Sequence, residues 1–460
     1  MLIPAPKFLP VLDPEFVPAV LWNRAYRAQA QAGGENLALA LERGEDAVSV
    51  YPTRILPHVG DNIPLNQRYV ERLLKFLLWQ KGAYRVTVAG NPAIADYLRR
   101  VYSPEGERAF DWKFIGQSVH GRPLTVETAK IEDVPEEKES ATPLGRHLEG
   151  CRIGFDLGAS DRKCAAVVDG EVVFSEEVAW DPSVQSDPQY HFDGINDSLK
   201  RAAAKLPRVD AIGGSSAGVY VNNEIRVASL FRAVPQHLFD TRVRRMFFEL
   251  KAAWGGVPFQ VVNDGEVTAL AGSMALNDNA VLGIAMGSSL AAGYVTPQGN
   301  ITTWLNELAF VPVDYRENAP VDEWSGDPGV GAQYFSQQAV ARLLQPAGIQ
   351  LARDMVLPHK LLEVQRLMAA GDERARKIYE TIGVYLGYNI AHYADFYEIR
   401  NLLVLGRVMS GAGGDLILAT AKKVLKEEFP ELDSNIRFHI PDEKEKRHGQ
   451  AVAAASLPAI

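Results

Sequence analysis

Three short apolar runs, separated by turns too small to hold a helix, fill Cys151–Phe174 and constrain the fold more than any other part of the chain. Cys151–Asp156 (CRIGFD) reads as a strand, Leu157–Asp161 as a small-residue turn, and Lys163–Val168 (KCAAVV) as a second strand. Asp169-Gly170 is a two-residue hairpin signal, because both residue types tolerate positive φ. Glu171–Phe174 (EVVF) is then a third strand, completing an antiparallel meander. A helical pattern over Ile195–Lys205 and a strand at Val209–Gly213 add parallel strands to that meander. Further strands are expected at Phe259–Val262, Val281–Ala285 and Leu402–Leu405, and long helical patterns over Ala332–Leu344, Pro358–Ala370 and Asp372–Tyr397. The fold class is α/β.

Immediately before the meander, residues 132–150 (EDVPEEKESATPLGRHLEG) are dense in charge, proline and small polar residues. A segment of that composition buries too little to order itself and reads as a linker. It divides the chain into residues 1–131, an N-terminal α/β domain of unassigned role, and residues 151–460. In the first part, Tyr69–Leu78 has helical spacing, Arg85–Ala89 reads as a strand, and Pro92 opens a helix to about Val101. No chemical motif appears there. Net charge excludes a nucleic-acid surface made by bulk charge: residues 1–150 hold 18 basic against 19 acidic side chains, and the remaining 310 hold 30 against 38. Two cysteines, Cys151 and Cys164, permit neither a disulfide framework nor a cysteine-built zinc site. With prolines and acids in place of a signal peptide, and no apolar stretch long enough to span a bilayer, the chain reads as cytoplasmic.

The chemistry lies in the second part. Asp156-Leu157-Gly158-Ala159-Ser160 is either an ordinary hairpin turn or a place where backbone N–H groups approach a phosphate, with Asp156 holding Mg²⁺ through water. Met286-Gly287-Ser288-Ser289 opens a second small-residue turn that runs to Gly293. Between them, Val261-Val262-Asn263-Asp264 ends a strand and begins a helix. Asn263 or Asp264 caps that helix, or Asp264 is a carboxylate placed to take a proton from a hydroxyl. A third glycine-rich stretch contains Gly406, Gly411, Gly413 and Gly414, where a nucleotide can lie on the backbone.

Phosphate turn, strand-end Asp, second phosphate turn and late glycine-rich turn follow the order of the actin-like ATPase fold. The match resembles the ROK (repressor, open reading frame, kinase) sugar kinases and regulators over about residues 151–460, with Gly449–Ala455 resembling their closing small-residue helix. The resemblance implies two lobes, about 151–270 plus the C-terminal helix and about 280–445. It implies ATP and Mg²⁺ as cofactors, a small sugar or polyol as substrate, and no nucleic-acid or membrane partner. Asp264 would be the catalytic base, with Asn263 and Glu307 binding the sugar. Asp156, Gly158, Ala159, Ser160 and Lys163 would form the first phosphate site, Gly287, Ser288 and Ser289 the second, and Gly406, Gly411, Gly413 and Gly414 the adenosine site.

Departures from the family are specific. Phe310 stands where the family has a sugar-binding histidine, and Ala332 where it has a second glutamate. Ser325 and Val330 replace cysteines of its zinc segment, so no structural zinc site is expected. These losses put the substrate in question more than the reaction, and they leave a second reading open: a catalytically silent ROK-type sugar-binding or regulatory protein. No GxxxxGK[ST] loop, Rossmann glycine spacing or HExxH pair is present. Cys164 reads as a small buried thiol. Tyr379, Tyr385, Tyr388 and Tyr393 read as packing between lobes or as a homodimer face, and Trp304 as a core or rim residue or a platform for a sugar ring.

Overall fold

The computed structural model describes residues 2–139, 144–440 and 443–460, and the side chains of 443–448 are left aside. Residues 140–143 of the expected linker lie outside the described residues. Sixteen strands fall into three larger sheets and one hairpin among the described residues.

The N-terminal sheet contains β1 (Glu35–Gly44), β2 (Ala47–Ile55), β3 (Arg85–Ala89), β4 (Thr125–Ala129) and β5 (Lys138–Glu139), in the order β4-β3-β1-β2-β5. Only β3 and β4 run parallel. Helices Ala19–Gln31, Asn62–Lys81 and Pro92–Val101 accompany it, the last capped by Asn91, which accepts from the Ala93 and Ile94 amides. The predicted helix around Tyr69–Leu78, the strand Arg85–Ala89 and the helix from Pro92 are present.

Lobe one contains β6 (Cys151–Leu157), β7 (Asp161–Val168), β8 (Glu171–Ala179), β9 (Ala211–Ser216) and β12 (Phe259–Asn263), ordered β12-β9-β6-β7-β8. The meander β6-β7-β8 is antiparallel, and β9 and β12 join it in parallel. Asp169 and Gly170 both have positive φ, as their two-residue hairpin requires. The hairpin β10 (Val219–Val221) and β11 (Glu224–Val227) projects beyond this sheet. Lobe two is built on β13 (Val281–Met286), β14 (Leu290–Val295), β15 (Asn401–Leu405) and β16 (Arg437–His439), ordered β14-β13-β15-β16. The helix Glu443–Ala455 returns to lobe one, where Ala455 joins Ala165 and Val167 in a small cluster.

Three expectations need correction. The segment 132–150 is tied down at both described ends. Lys138 and Glu139 extend the N-terminal sheet beside β2, and the amides of Gly145 and His147 donate to the carbonyls of Leu457 and Ser456. The N-terminal region does not pack as a free-standing unit either. Trp22, Phe76, Leu77 and Trp79 share one buried cluster with Leu282, Val404, Tyr385 and Tyr393 of lobe two. The four tyrosines of the helix Glu373–Ala394 form neither an interlobe nor a dimer face: the chain's own N-terminal segment covers Tyr385, Tyr388 and Tyr393, and Tyr379 is buried against Gly413. Tyr385 donates to Asp13, the Phe8 amide donates to the Tyr388 hydroxyl at 3.2 Å, and Phe76 packs 6.3 Å from Tyr393.

Candidate active site

The carboxyl ends of three adjacent parallel strands set the site in lobe one. Pairing aligns Asp156 of β6 with Ser215 of β9, and Ser215 with Val262 of β12. Asp264 follows one residue beyond β12 and opens the helix Asp264–Leu276. Two strand spacings, roughly 10 Å, therefore separate Asp156 from Val262, and Asp264 lies two residues further along the chain. Ser215 Oγ donates to Asp156 Oδ1 at 2.7 Å, and Lys163, opposite Asp156 on β7, places Nζ 3.7 Å from Asp156 Oδ2 and 3.0 Å from Asp161 Oδ1. Burial raises the Asp156 carboxyl above its ordinary range, opposed by the Ser215 bond and the Lys163 charge.

Asn263 is the helix cap. Its Oδ1 accepts from the Gly265 amide at 2.8 Å and its Nδ2 donates to the Gly218 carbonyl at 2.7 Å, so both ends of the amide are engaged. Asp264 accepts from the same Gly265 amide through Oδ1 at 2.9 Å. Burial, and then the Asp156 charge, pushes Asp264 up to about 6. A carboxylate with that value is largely ionised at neutral pH yet basic enough to accept a proton. Glu307 comes from lobe two, at the start of a 3₁₀ turn Leu308–Phe310. Burial and the Asp264 charge push it up to about 7, which sets the two carboxyls within electrostatic reach of each other.

The helix carrying Asp264 also meets lobe two. A Cβ on Gly265 would lie 2.3 Å from the Ala292 carbonyl oxygen, and one on Gly293 would lie 2.1 Å from the Gly265 carbonyl oxygen. Helix and β14 thus touch backbone to backbone, and Gly293 serves this contact. The turn preceding β14 is tight, the Gly287 amide donating to the Ser289 carbonyl at 2.9 Å, with Ser288 and Ser289 exposed. Gly406 stands beside it: its φ of 105° and a Cβ position 2.5 Å from the Met286 carbonyl oxygen both require glycine. The second and third glycine turns therefore sit together at one sheet edge, as the parallel pairing of Ala285 with Leu405 dictates. Beyond Gly406, Gly411 is exposed with φ 69°, whereas Gly413 packs on the Tyr379 ring and Gly414 on the Met409 backbone. In the first turn Gly158 donates to the Asp161 carbonyl at 2.9 Å, and Ala159 and Ser160 are exposed.

For a metal, Asp156 offers one carboxylate, and no cluster of three or more His, Cys, Asp or Glu fit to hold an ion exists among the described residues. Mg²⁺ keeps most of its waters and is commonly held by one or two carboxylates together with substrate phosphates, so Asp156 fits a magnesium ion carried in with a nucleotide.

Beside Asn263 a cavity of about 450 Å³ opens among Asn263, Glu266 and Tyr220 of lobe one, Trp304 of lobe two, and Arg43 and Lys81 of the N-terminal region. Trp304 stacks on Tyr294 and its Nε1 donates to Glu139 at 3.0 Å. Phe310 does not face open space, because Trp79 of the N-terminal region packs on it with ring centroids 4.4 Å apart. The end of the helix Asn62–Lys81 is bonded to the same loop, the Asn306 and Glu307 amides donating to the Gln80 and Trp79 carbonyls at 2.9 and 3.0 Å. A smaller cavity of about 280 Å³ behind the helix Asp264–Leu276 contains none of the candidate residues. Sequence reasoning missed Ser215, Tyr220, Glu266 and the N-terminal contribution. The small-residue run Gly213–Gly218 at a parallel strand end was the available signal for the first two.

No family model matches the sequence, and no curated protein matches it. Among solved structures the chain aligns with a ROK hexokinase from Thermus thermophilus at 17% identity and a TM-score of 0.52, over 66% of this chain and 97% of that one. It also aligns with a ROK family transcriptional regulator, a homolog of the E. coli MLC protein, at 16% identity and a TM-score of 0.52, over 80% of this chain and 89% of that one. Likeness at such identities establishes the fold: two lobes of the actin-like ATPase type, as in ROK kinases and regulators, with an additional N-terminal α/β region.

Proposed function

We propose that this chain is a ROK-type sugar kinase, transferring the terminal phosphoryl group of ATP to a hydroxyl of a sugar or sugar-like polyol with Asp264 as the base. The observation that carries the reading is the placement of Asp156 and Asp264 at the carboxyl ends of β6 and β12, either side of β9, with the helix of Asp264 packed on the strand that follows the Gly287 turn. Phosphoryl transfer needs neutralised charge on the donor and an acceptor held in line, and little else. The turns at Gly158–Ser160 and Gly287–Ser289 offer backbone donors to phosphates, and Lys163 lies beside the first. Gly406 and Gly411 are the members of the third stretch with backbone open to an adenosine. Mg²⁺ held at Asp156 would supply charge neutralisation. Asp264 orients the acceptor hydroxyl and removes its proton. Glu307, whose carboxyl accepts no hydrogen bond among the described residues, holds a neighbouring hydroxyl. Asn263, whose amide is already engaged at both ends, fixes the start of the catalytic helix.

One observation favours the non-catalytic alternative: Phe310 and Trp79 fill the place where the family's sugar-binding histidine would project. A coupled nucleotide-consumption screen over hexoses, amino sugars and polyols, run beside Asp264→Asn, separates the two readings. The kinase reading expects the variant to lose ~10²–10⁴-fold in kcat, and wild-type activity to rise with pH through about 6 as Asp264 ionises. Equal consumption by wild type and variant with every acceptor would remove Asp264 from the base role.

A further inference from the structure

We propose that the cavity between the N-terminal region and the two lobes seats the anionic group, carboxylate or phosphate, of a negatively charged sugar, with Arg43 and Lys81 as its cationic partners and His120 as a neutral partner. The inference rests on the substrate being a sugar, as read above, and narrows its class.

Arg43, Lys81 and His120 line the cavity that Asn263, Glu266 and Tyr220 close from lobe one. The Arg43 side chain is only 4% exposed. Its Nε, the Nε2 of His120 and the Nε of Arg226 are buried without a hydrogen-bond partner among the described residues. Arg226 lies close by, since a Cβ on Gly121, the residue after His120, would lie 3.2 Å from its Nη1. Two of these residues, Arg43 and His120, line the cavity, and unpartnered nitrogens on a cavity wall are unusual, because buried polar groups are nearly always satisfied.

The charges nearby do not cancel. Glu139, which does not line the cavity, accepts from Arg43 Nη2 at 2.9 Å and from Lys81 Nζ at 3.0 Å, so two cations share one carboxylate. Glu224 pairs with Arg226 at 2.7 Å. Of the acids on the cavity wall, Asp46 is exposed at the rim, and burial pushes Glu266 up to about 8, leaving it mostly uncharged at neutral pH. Burial and the charges of Arg43, Arg226 and Arg122 push His120 down to about 4. The imidazole is therefore neutral in a field that is already positive. A neutral hydroxyl would satisfy these donors without balancing that field, whereas an anion does both, and charge-assisted hydrogen bonds are the stronger kind.

The test is calorimetric binding to the full chain without nucleotide, using D-glucuronate, D-glucose 6-phosphate, D-glucose and inorganic phosphate as probes. At least one sugar anion should bind about tenfold or more tightly than glucose. Preference for glucuronate identifies a carboxylate seat, and preference for glucose 6-phosphate a phosphate seat. Arg43→Met and Lys81→Met should each weaken the preferred anion about tenfold and glucose less than about twofold, on the same charge-assisted-bond reasoning. Glucose binding as tightly as both sugar anions overturns the proposal on wild-type protein alone, whatever the variants do. Binding of inorganic phosphate with neither sugar anion overturns it too. Arg43-dependent anion binding without nucleotide consumption would leave this inference standing while phosphoryl transfer falls. Asp264-dependent phosphorylation of glucose with no anion binding would do the reverse.

Discussion

Lobe one is sealed around its own core: Ile153, Phe155, Phe247 and Phe259 belong to a buried cluster confined to that lobe. Lobe two has no such independence. Its Ile378, Tyr385, Leu402 and Val404 lie in one cluster with Val20, Trp22, Leu73 and Phe76 of the N-terminal region. A buried ionic group adds to this join. Lys75 contacts Asp111 at 2.6 Å and Asp327 at 2.5 Å, and Arg108 contacts Glu71 at 2.6 Å and Asp327 at 2.8 Å. Asp327 belongs to the segment 325–336, so ion pairs to the N-terminal region tie that segment in place. The contrast teaches that the N-terminal region is a layer of lobe two. In a hinge closure between lobes it would move as part of lobe two and carry Arg43, Lys81 and His120 toward lobe one.

The contrast breaks most visibly on truncation. Removing residues 1–139 would expose Tyr385, Tyr388 and Tyr393, each now fully buried. Lobe two should then lose cooperative unfolding, and limited proteolysis should leave lobe one as the resistant fragment. A truncated chain that still unfolds in one sharp transition would show lobe two to be self-sufficient. The next effect in size comes from Lys75→Met, which leaves Asp111 and Asp327 buried beside too few cations. Removing one partner of a buried ionic group typically costs about 3–5 kcal/mol, measurable by urea unfolding. A loss under about 1 kcal/mol would mean that the group adds little to the join between the two parts.

Much of lobe one was legible in the sequence because its strands are short, alternate with strong turn residues and pair mainly with near neighbours. CRIGFD, KCAAVV and EVVF therefore declared themselves, and Asp264 stood out as an acid at a strand end. The N-terminal sheet was legible only at Arg85–Ala89. The strands Glu35–Gly44 and Ala47–Ile55 went unread because ENLALALERG mixes helix-favouring Leu, Ala and Glu with a strand pairing that only its neighbours enforce. Nothing local in LGRHLEG reveals that its amides bond to Ser456 and Leu457, more than 300 residues away. The same limit hid the N-terminal wall of the cavity. Arg43, Lys81 and His120 look like ordinary surface residues until the fold folds their elements over Asn263 and Trp304. Asn263 shows the opposite error, since its capping role was the simpler of two readings and the structure gives it that geometry.

The finest comparison contrasts two carboxyls two residues apart at the start of one helix. Asp264 faces the site and titrates near 6, while Glu266 is 5% exposed and is pushed up to about 8, chiefly by burial. Glu266 accepts from Asn306 Nδ2 at 2.5 Å, and Tyr397 fixes that amide by donating to Asn306 Oδ1 at 2.8 Å. Between the ordinary glutamate value near 4.3 and about 8, the folded chain holds a proton on Glu266 that the unfolded chain has released. Folding then takes up a proton, so stability falls as pH rises through this window, by at most about 1.4 kcal/mol per pH unit. Asp264 and Glu307 are raised as well and add slopes of the same sign, so only the difference between wild type and Glu266→Gln isolates the buried group. The variant keeps an acceptor for Asn306 and cannot ionise. Across pH 5–8, wild type should lose roughly 3–4 kcal/mol more than the variant, read from urea unfolding at each pH. Parallel curves would mean that Glu266 is ionised in the folded chain, and the cavity wall beside Arg43 and Lys81 would then already carry its own anion.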